Sequence, residues 1–256
     1  MQNTTKAYDR FRTQSQDVLD YAALLAYALP RFRTELEGVV KSKGRLTVSP
    51  DYFPHDRSDA LKLLKTTQGY ESKVANYLWL SQFSFFEAFV SDIIDELFAF
   101  HGGIDEFVRR ARDRERAWTD GLPPKFKPAK RKLQDSAKPA WADRYRKYAR
   151  ELATQGYRFP GDLFSAYGLV MLSKQLKRLK AHEIPDFVIS AFRVDVPQTT
   201  VDLYNEYRET RNSIAHGNPP PLTVHDVVKM HSLLRDFAQA IQDRLLQDYF
   251  VIEKYL

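Results

Sequence analysis

The chain has 256 residues, no cysteine and a formal net charge of +6, with 28% of residues charged. Without cysteine there is no disulfide framework, no Cys-ligated zinc and no thiol nucleophile. Ten glycines are too few for a turn-rich β-sandwich or a glycine-built nucleotide fold, while seventeen Phe and fourteen Tyr exclude a disordered chain.

In chain order, residues 5–29 read as an amphipathic helix closed by Pro30, and residues 31–43 as a second. The apolar run Val18 to Leu29 is too short for a membrane span and too late for a signal peptide, so a cytoplasmic location without membrane contact is expected. Residues 44–57, with Pro50 and Pro54, form a connector, and Ser58 opens a short helix through Lys65. The strongest helical signal runs from Ser72 to Phe100. There Trp79, Phe83, Phe86, Val90, Ile93 and Leu97 recur at steps of three and four, and Gly102-Gly103 ends the run.

A helix at about 104–118 leads into TDGLPPKFKPAKRKLQDSAKP, an exposed loop with four prolines and six Lys or Arg. Helices follow at about 140–155, 162–181 and 183–192. Pro197 starts another through Ala215, and Thr223 caps the last, with Asp226 in the position that completes a capping box. The last helix carries the row Val227, Leu234, Phe237, Ile241, Leu245. No segment alternates like a strand, and the fold class is all-α.

The charge is local. Arg109 to Arg150 holds fifteen Lys or Arg against five acids, a block of +10 on a remainder of −4. Such a block points to a polyanion partner, nucleic acid first, although charge runs are also ordinary wet surface. Within it Lys125, Lys127, Lys130, Arg131 and Lys132 are candidates for RNA backbone contacts, with Phe126 available for stacking. No P-loop, dinucleotide fingerprint, HExxH or nucleophile elbow is present, and no two of the six histidines stand at i, i+4. No metal and no cofactor are expected.

Chemistry concentrates in VDLYNEYRETRNSIAHGNPPP, residues 201–221. Leu203, Tyr207, Thr210 and Ile214 read as the inward face of a helix that Gly217 closes in the left-handed region and Pro219 prevents from continuing. His216 then sits at the cap. Asn212, at i, i+4, is placed to hydrogen-bond the imidazole and select its tautomer. Arg211 lies five residues before His216, so the two side chains converge only because the helix ends there. A guanidinium stabilises charge on phosphate oxygens in bidentate fashion. Imidazole, as a residue type, takes up and gives a proton near neutral pH. Arg208, one turn before Arg211, is a further candidate for phosphate, against the simpler reading of a solvated surface arginine. A bare Arg-x4-His spacing is also compatible with ordinary helix termination.

Arg211-Asn212-Ser213-Ile214-Ala215-His216-Gly217 resembles the R-x4–6-H signature of HEPN ribonucleases. Phe83–Val90 resembles the first core helix of the RiboL-PSP-like HEPN branch, with Glu87 at its acidic position, and the Thr223-capped helix resembles that family's closing helix. The resemblance implies an all-α bundle of four to five core helices, a homodimer, and metal-independent cleavage of RNA, often as a toxin or phage-defence effector. It implies Arg211 and His216 as catalytic residues, with Asn212 and Glu87 in support, Glu87 as a possible partner of Arg211. Residues 1–66 are then an N-terminal helical extension, and 67–256 the HEPN-like bundle with a basic insertion at about 101–160. Partners beyond RNA would be a second copy and an antitoxin or defence component. Two other readings stay open: a non-catalytic module binding nucleic acid or nucleotide, and a helical scaffold in a defence complex.

Overall fold

The structure, a computed structural model, describes residues 4–42, 60–110, 113, 179–192 and 194–250. The connector 44–57, the lysines and arginine of the proline-rich loop, and the helices expected at about 140–155 and 162–181 (save its last three residues) lie outside them. Every regular element among the described residues is helical, and the fold is all-α. We number the helices α1 (Lys6–Ser42), α2 (Ala60–Thr66), α3 (Tyr70–Phe100), α4 (Ile184–Phe192), α5 (Gln198–Ala215) and α6 (Val224–Asp248). Residues 104–110 are also helical, and a 3₁₀ turn, Ala181–Glu183, precedes α4. No described helix is long and apolar enough to cross a membrane.

One expectation fails at Pro30, where α1 passes straight through to Ser42. Proline removes one ladder hydrogen bond, but the buried row does not stop with it. Val18 and Ala22 before it and Leu36 after it are all buried, so burial along one face holds the helix together across the proline. The Thr34 hydroxyl donates to the Pro30 carbonyl at 3.0 Å.

The chain divides into two compact units. Unit 1 comprises Met1–Phe11, Phe86–Asn205 and Arg235–Leu256, and unit 2 comprises Arg12–Phe85 and Glu206–Leu234. The boundary drawn from sequence at residue 66 falls inside the continuous 12–85 stretch of unit 2.

In unit 1 the core is aromatic. The Phe86 ring meets Phe11 at 6.0 Å, Phe89 at 6.2 Å, Tyr204 at 5.8 Å and Phe237 at 5.4 Å. Phe192 adds edge contacts to Phe187 and Tyr249 at 5.5 and 5.3 Å. The start of α1 is held down by side chains far away in sequence. Lys6 and Ala7 donate their backbone N–H groups to the Glu96 carboxylate at 3.0 and 2.9 Å, and the Thr5 backbone N–H donates to Gln242 Oε1 at 3.1 Å. A carboxylate on the free N–H groups of a first helical turn is the stabilising sign of charge there.

In unit 2 the apolar core of Val74, Leu78, Trp79, Phe83, Val227 and Leu234 encloses a polar centre. Ser15 Oγ lies 2.9 Å and Gln82 Nε2 3.0 Å from His231 Nδ1, and Gln82 Nε2 also donates to Ser15 Oγ; all three residues are buried. The Trp79 indole N–H donates to the Tyr207 carbonyl at 3.2 Å, with the two rings edge to face at 5.2 Å. Asn76 Nδ2 donates to the Pro220 carbonyl at 3.3 Å and so holds the loop that follows α5.

The cap expected on α6 forms as a reciprocal pair. The Thr223 backbone N–H and hydroxyl donate to Asp226 Oδ2 at 3.0 and 2.7 Å, and the Asp226 N–H returns a bond to Thr223 Oγ1 at 3.3 Å. These bonds, the hydroxyl's first, hold the Asp226 carboxyl below its usual range. A carboxyl lowered on folding stabilises above its unfolded pKa and loses that contribution as pH falls through the folded value. Asp226→Asn is therefore expected to melt a few degrees lower at pH 7, for a cap contribution of about 1 kcal/mol. The gap from wild type should close on acidification below about pH 4, which thermal melts by circular dichroism across pH would read.

Candidate active site

α5 ends as its sequence demands. His216 N–H bonds to the Asn212 carbonyl at 2.9 Å, Gly217 N–H to Ile214 at 3.0 Å, and Asn218 N–H to Ser213 at 2.9 Å. With Gly217 at φ +81° this is a Schellman cap. It makes His216 the capping residue just past Ala215, the last of the helix, and leaves its imidazole exposed. The chain then leaves through Asn218-Pro219-Pro220-Pro221, whose direction is set by the Asn76–Pro220 bond and by the Thr223 cap.

Arg211 and Asn212 are half-buried. Asn212 is not turned toward His216. Its Oδ1 accepts from Arg211 Nη1 at 3.3 Å, a bond assisted by the charge of the guanidinium next door. The amide is thus a partner of the arginine, and the imidazole is exposed on the cap.

The inward face of α5 also differs from the sequence reading. The fully buried residue is Tyr204, at 0% exposure, while Leu203 is 39% exposed. At about 100° per residue, Arg208 lies about 40° to one side of Tyr204 and Arg211 about 20° to the other. The helix thus carries two arginines along the line of its most buried side chain, where apolar periodicity alone had placed Leu203, Tyr207, Thr210 and Ile214. Arg208 is not the solvated surface arginine of the simpler reading. Its side chain is 19% exposed, and its Nε is buried with no hydrogen-bond partner. An unmade bond of that kind costs about 1–3 kcal/mol. Tyr207, on the flank of the same face, has its phenol pushed up by burial and then by Glu206 and Asp226, which keeps the hydroxyl a donor.

Glu87 is half-buried on α3 in unit 1, between exposed Ser84 and Ala88 on one side and buried Phe86, Phe89 and Val90 on the other. Of the basic block only its first residues are described. Arg109 and Arg110 both bind Glu106, each at 2.6 Å, and their guanidiniums hold that carboxyl down to about 2. The leading edge of the block is partly neutralised from upstream. Among the described residues, no three His, Cys, Asp or Glu side chains group to hold a metal ion. A cavity of about 600 Å³ in unit 2, lined by Leu29, Arg33, Tyr70, Val74 and Val224 among others, includes none of the motif residues.

An all-α chain in which a helix terminates on Arg-x4-His, with the arginine half-buried and the histidine exposed on the cap, has the makings of a HEPN domain. The chain belongs to the RiboL-PSP-HEPN family, whose model matches residues 55–247, three quarters of its length. No curated protein and no solved structure matches it.

Proposed function

We propose that the protein is an endoribonuclease that cleaves RNA by attack of a 2′-hydroxyl on the adjacent phosphorus, acting as a toxin or phage-defence effector. The observation that carries this reading is the capped end of α5, which holds an oriented guanidinium and an exposed imidazole within one family-matched segment. In the reaction the 2′-oxygen bonds to phosphorus and the 5′-oxygen leaves, giving a 2′,3′-cyclic phosphate and a 5′-hydroxyl. Arg211 offsets charge gathering on the non-bridging oxygens. His216 serves proton transfer, taking the proton from the 2′-hydroxyl or supplying one to the 5′-oxygen.

One imidazole per chain performs one of those two tasks at a time. A two-fold homodimer that presents two copies of His216 to one phosphate supplies both, and a two-fold contact is the commonest mode of self-association. The basic block, Lys125, Lys127, Lys130, Arg131 and Lys132 included, supplies backbone contacts to RNA. Neutralising those five should weaken RNA binding alike for all sequences and flatten its salt dependence; an unchanged slope would remove the block from the interface.

The deciding experiment incubates wild type and His216→Ala with single-stranded RNA in EDTA and analyses the product ends. Cleavage to 2′,3′-cyclic phosphate ends by wild type alone is expected. Intact RNA in both reactions, with the wild type dimeric and freed of any antitoxin or defence partner, would refute the reading. Glu87→Gln belongs in the same assay: unchanged cleavage together with an unchanged melting temperature would end its supporting role.

A further inference from the structure

Arg208 is built at variance with the habits of a structural arginine. Such a residue normally spends its donors on carboxylates or carbonyls. Here Nη2 reaches Glu209 Oε1 at 2.6 Å, a sequence neighbour that is 66% exposed, and the buried Nε reaches nothing. An ion pair with so exposed a partner holds the guanidinium weakly. Arg211 stands one helical turn away, about 5–6 Å between Cβ atoms, and two like charges at that spacing repel. An anion placed between or beside them removes the repulsion and receives the unused donor. Both arginines flank the line of Tyr204, so they address the same side of α5.

We propose that Arg208 is a second phosphate-binding residue of this site. It takes the phosphate next to the one at Arg211 on an RNA strand, and Glu209 is the placeholder that this phosphate displaces. On binding, the guanidinium turns so that Nε and one Nη grip the phosphate oxygens as a fork, the geometry that suits arginine to phosphate. The proposal rests on the reading that the capped end of α5 receives RNA, and it names which group of the RNA is held there.

The test uses the full chain and a single-stranded RNA oligonucleotide with 2′-O-methyl groups, which lacks the attacking hydroxyl, with binding followed by fluorescence anisotropy over a salt series. Arg208→Gln is expected to bind about ten- to a hundredfold more weakly and to lower the log–log salt slope by about 0.7. Its melting temperature in phosphate-free buffer should stay level or rise, since an unsatisfied buried donor is gone. Arg208→Lys, which keeps the charge but not the fork, should also bind more weakly than wild type. Glu209→Gln should bind about two- to fivefold more tightly, and Arg33→Gln, an exposed arginine of α1 paired with Glu37, should bind as wild type does.

Wild-type affinity and slope in Arg208→Gln would overturn the proposal, as would a fall of several degrees in its melting temperature, the mark of a structural side chain. Because the oligonucleotide cannot be cut, the outcome is separate from catalysis. A protein that binds through Arg208 yet cleaves no RNA would keep this inference and lose the nuclease reading. An active nuclease indifferent to Arg208 would do the reverse, and a wild type that binds no RNA would end both.

Discussion

RNA cleavage by His216→Ala and by Arg211→Ala is expected to fall about a hundred- to ten-thousandfold in each case, for different reasons. The imidazole carries the proton-transfer share of the rate, for which about 10²–10⁴ is typical. The guanidinium carries the electrostatic share, and removing a preorganised donor costs a similar amount. Arg211→Lys should recover little, because a compact ammonium cannot offer two parallel donors to phosphate oxygens. The double variant should be about as slow as the worse single one, since the two groups act on a single transition state. Neither change should unfold the protein: His216 is exposed on the cap and Arg211 is only half-buried. Single-turnover rates beside thermal melts would separate the two effects, and a loss of activity that tracked a loss of fold would count against the assignment.

Phe86→Ala is expected to be the most destabilising single change in unit 1, at about 3–5 kcal/mol. The ring is fully buried and touches Phe11, Phe89, Tyr204 and Phe237, so truncation opens a hole bordered by four rigid rings from four helical segments. Rings of that size cannot collapse inward as aliphatic chains do, which puts the cost at the upper end for such sites. The melting temperature should drop by roughly 10 °C. Phe86→Leu, which keeps most of the volume, should lose far less. A drop of only a degree or two for the alanine variant would mean that the ring cluster does not anchor this unit.

α3 and α6 were legible because each carries one long apolar row with no competing pattern. Trp79, Phe83, Phe86, Val90, Ile93 and Leu97 are all buried, as are Val227, Leu234, Phe237, Ile241 and Leu245. The cap of α6 and the Schellman end of α5 were legible for a related reason: both are set by a few adjacent residues acting on their own backbone. Pro30 misled because a proline's local cost is visible in sequence, whereas the burial of Leu36 that outweighs it is not. The inward face of α5 misled because apolar residues were assumed to point inward, whereas Arg208 and Arg211 both lie within about 40° of its buried line. The Ser15–Gln82–His231 centre was invisible, since its members are 67 and 149 residues apart along the chain.

The amino-acid sequence alone determined the helical class, the limits of the strongest helices and the capped Arg211-to-His216 segment. All of these follow from interactions between residues within a turn or two of one another, where spacing and backbone preference decide the outcome. The tertiary structure alone decided that α1 runs through its proline, that Asn212 serves the arginine instead of the histidine, and that Arg208 turns inward with a donor to spare. Those choices depend on which face of a helix is covered and by what. Burial is a property of the neighbours that folding brings together, and no local pattern of residues records it.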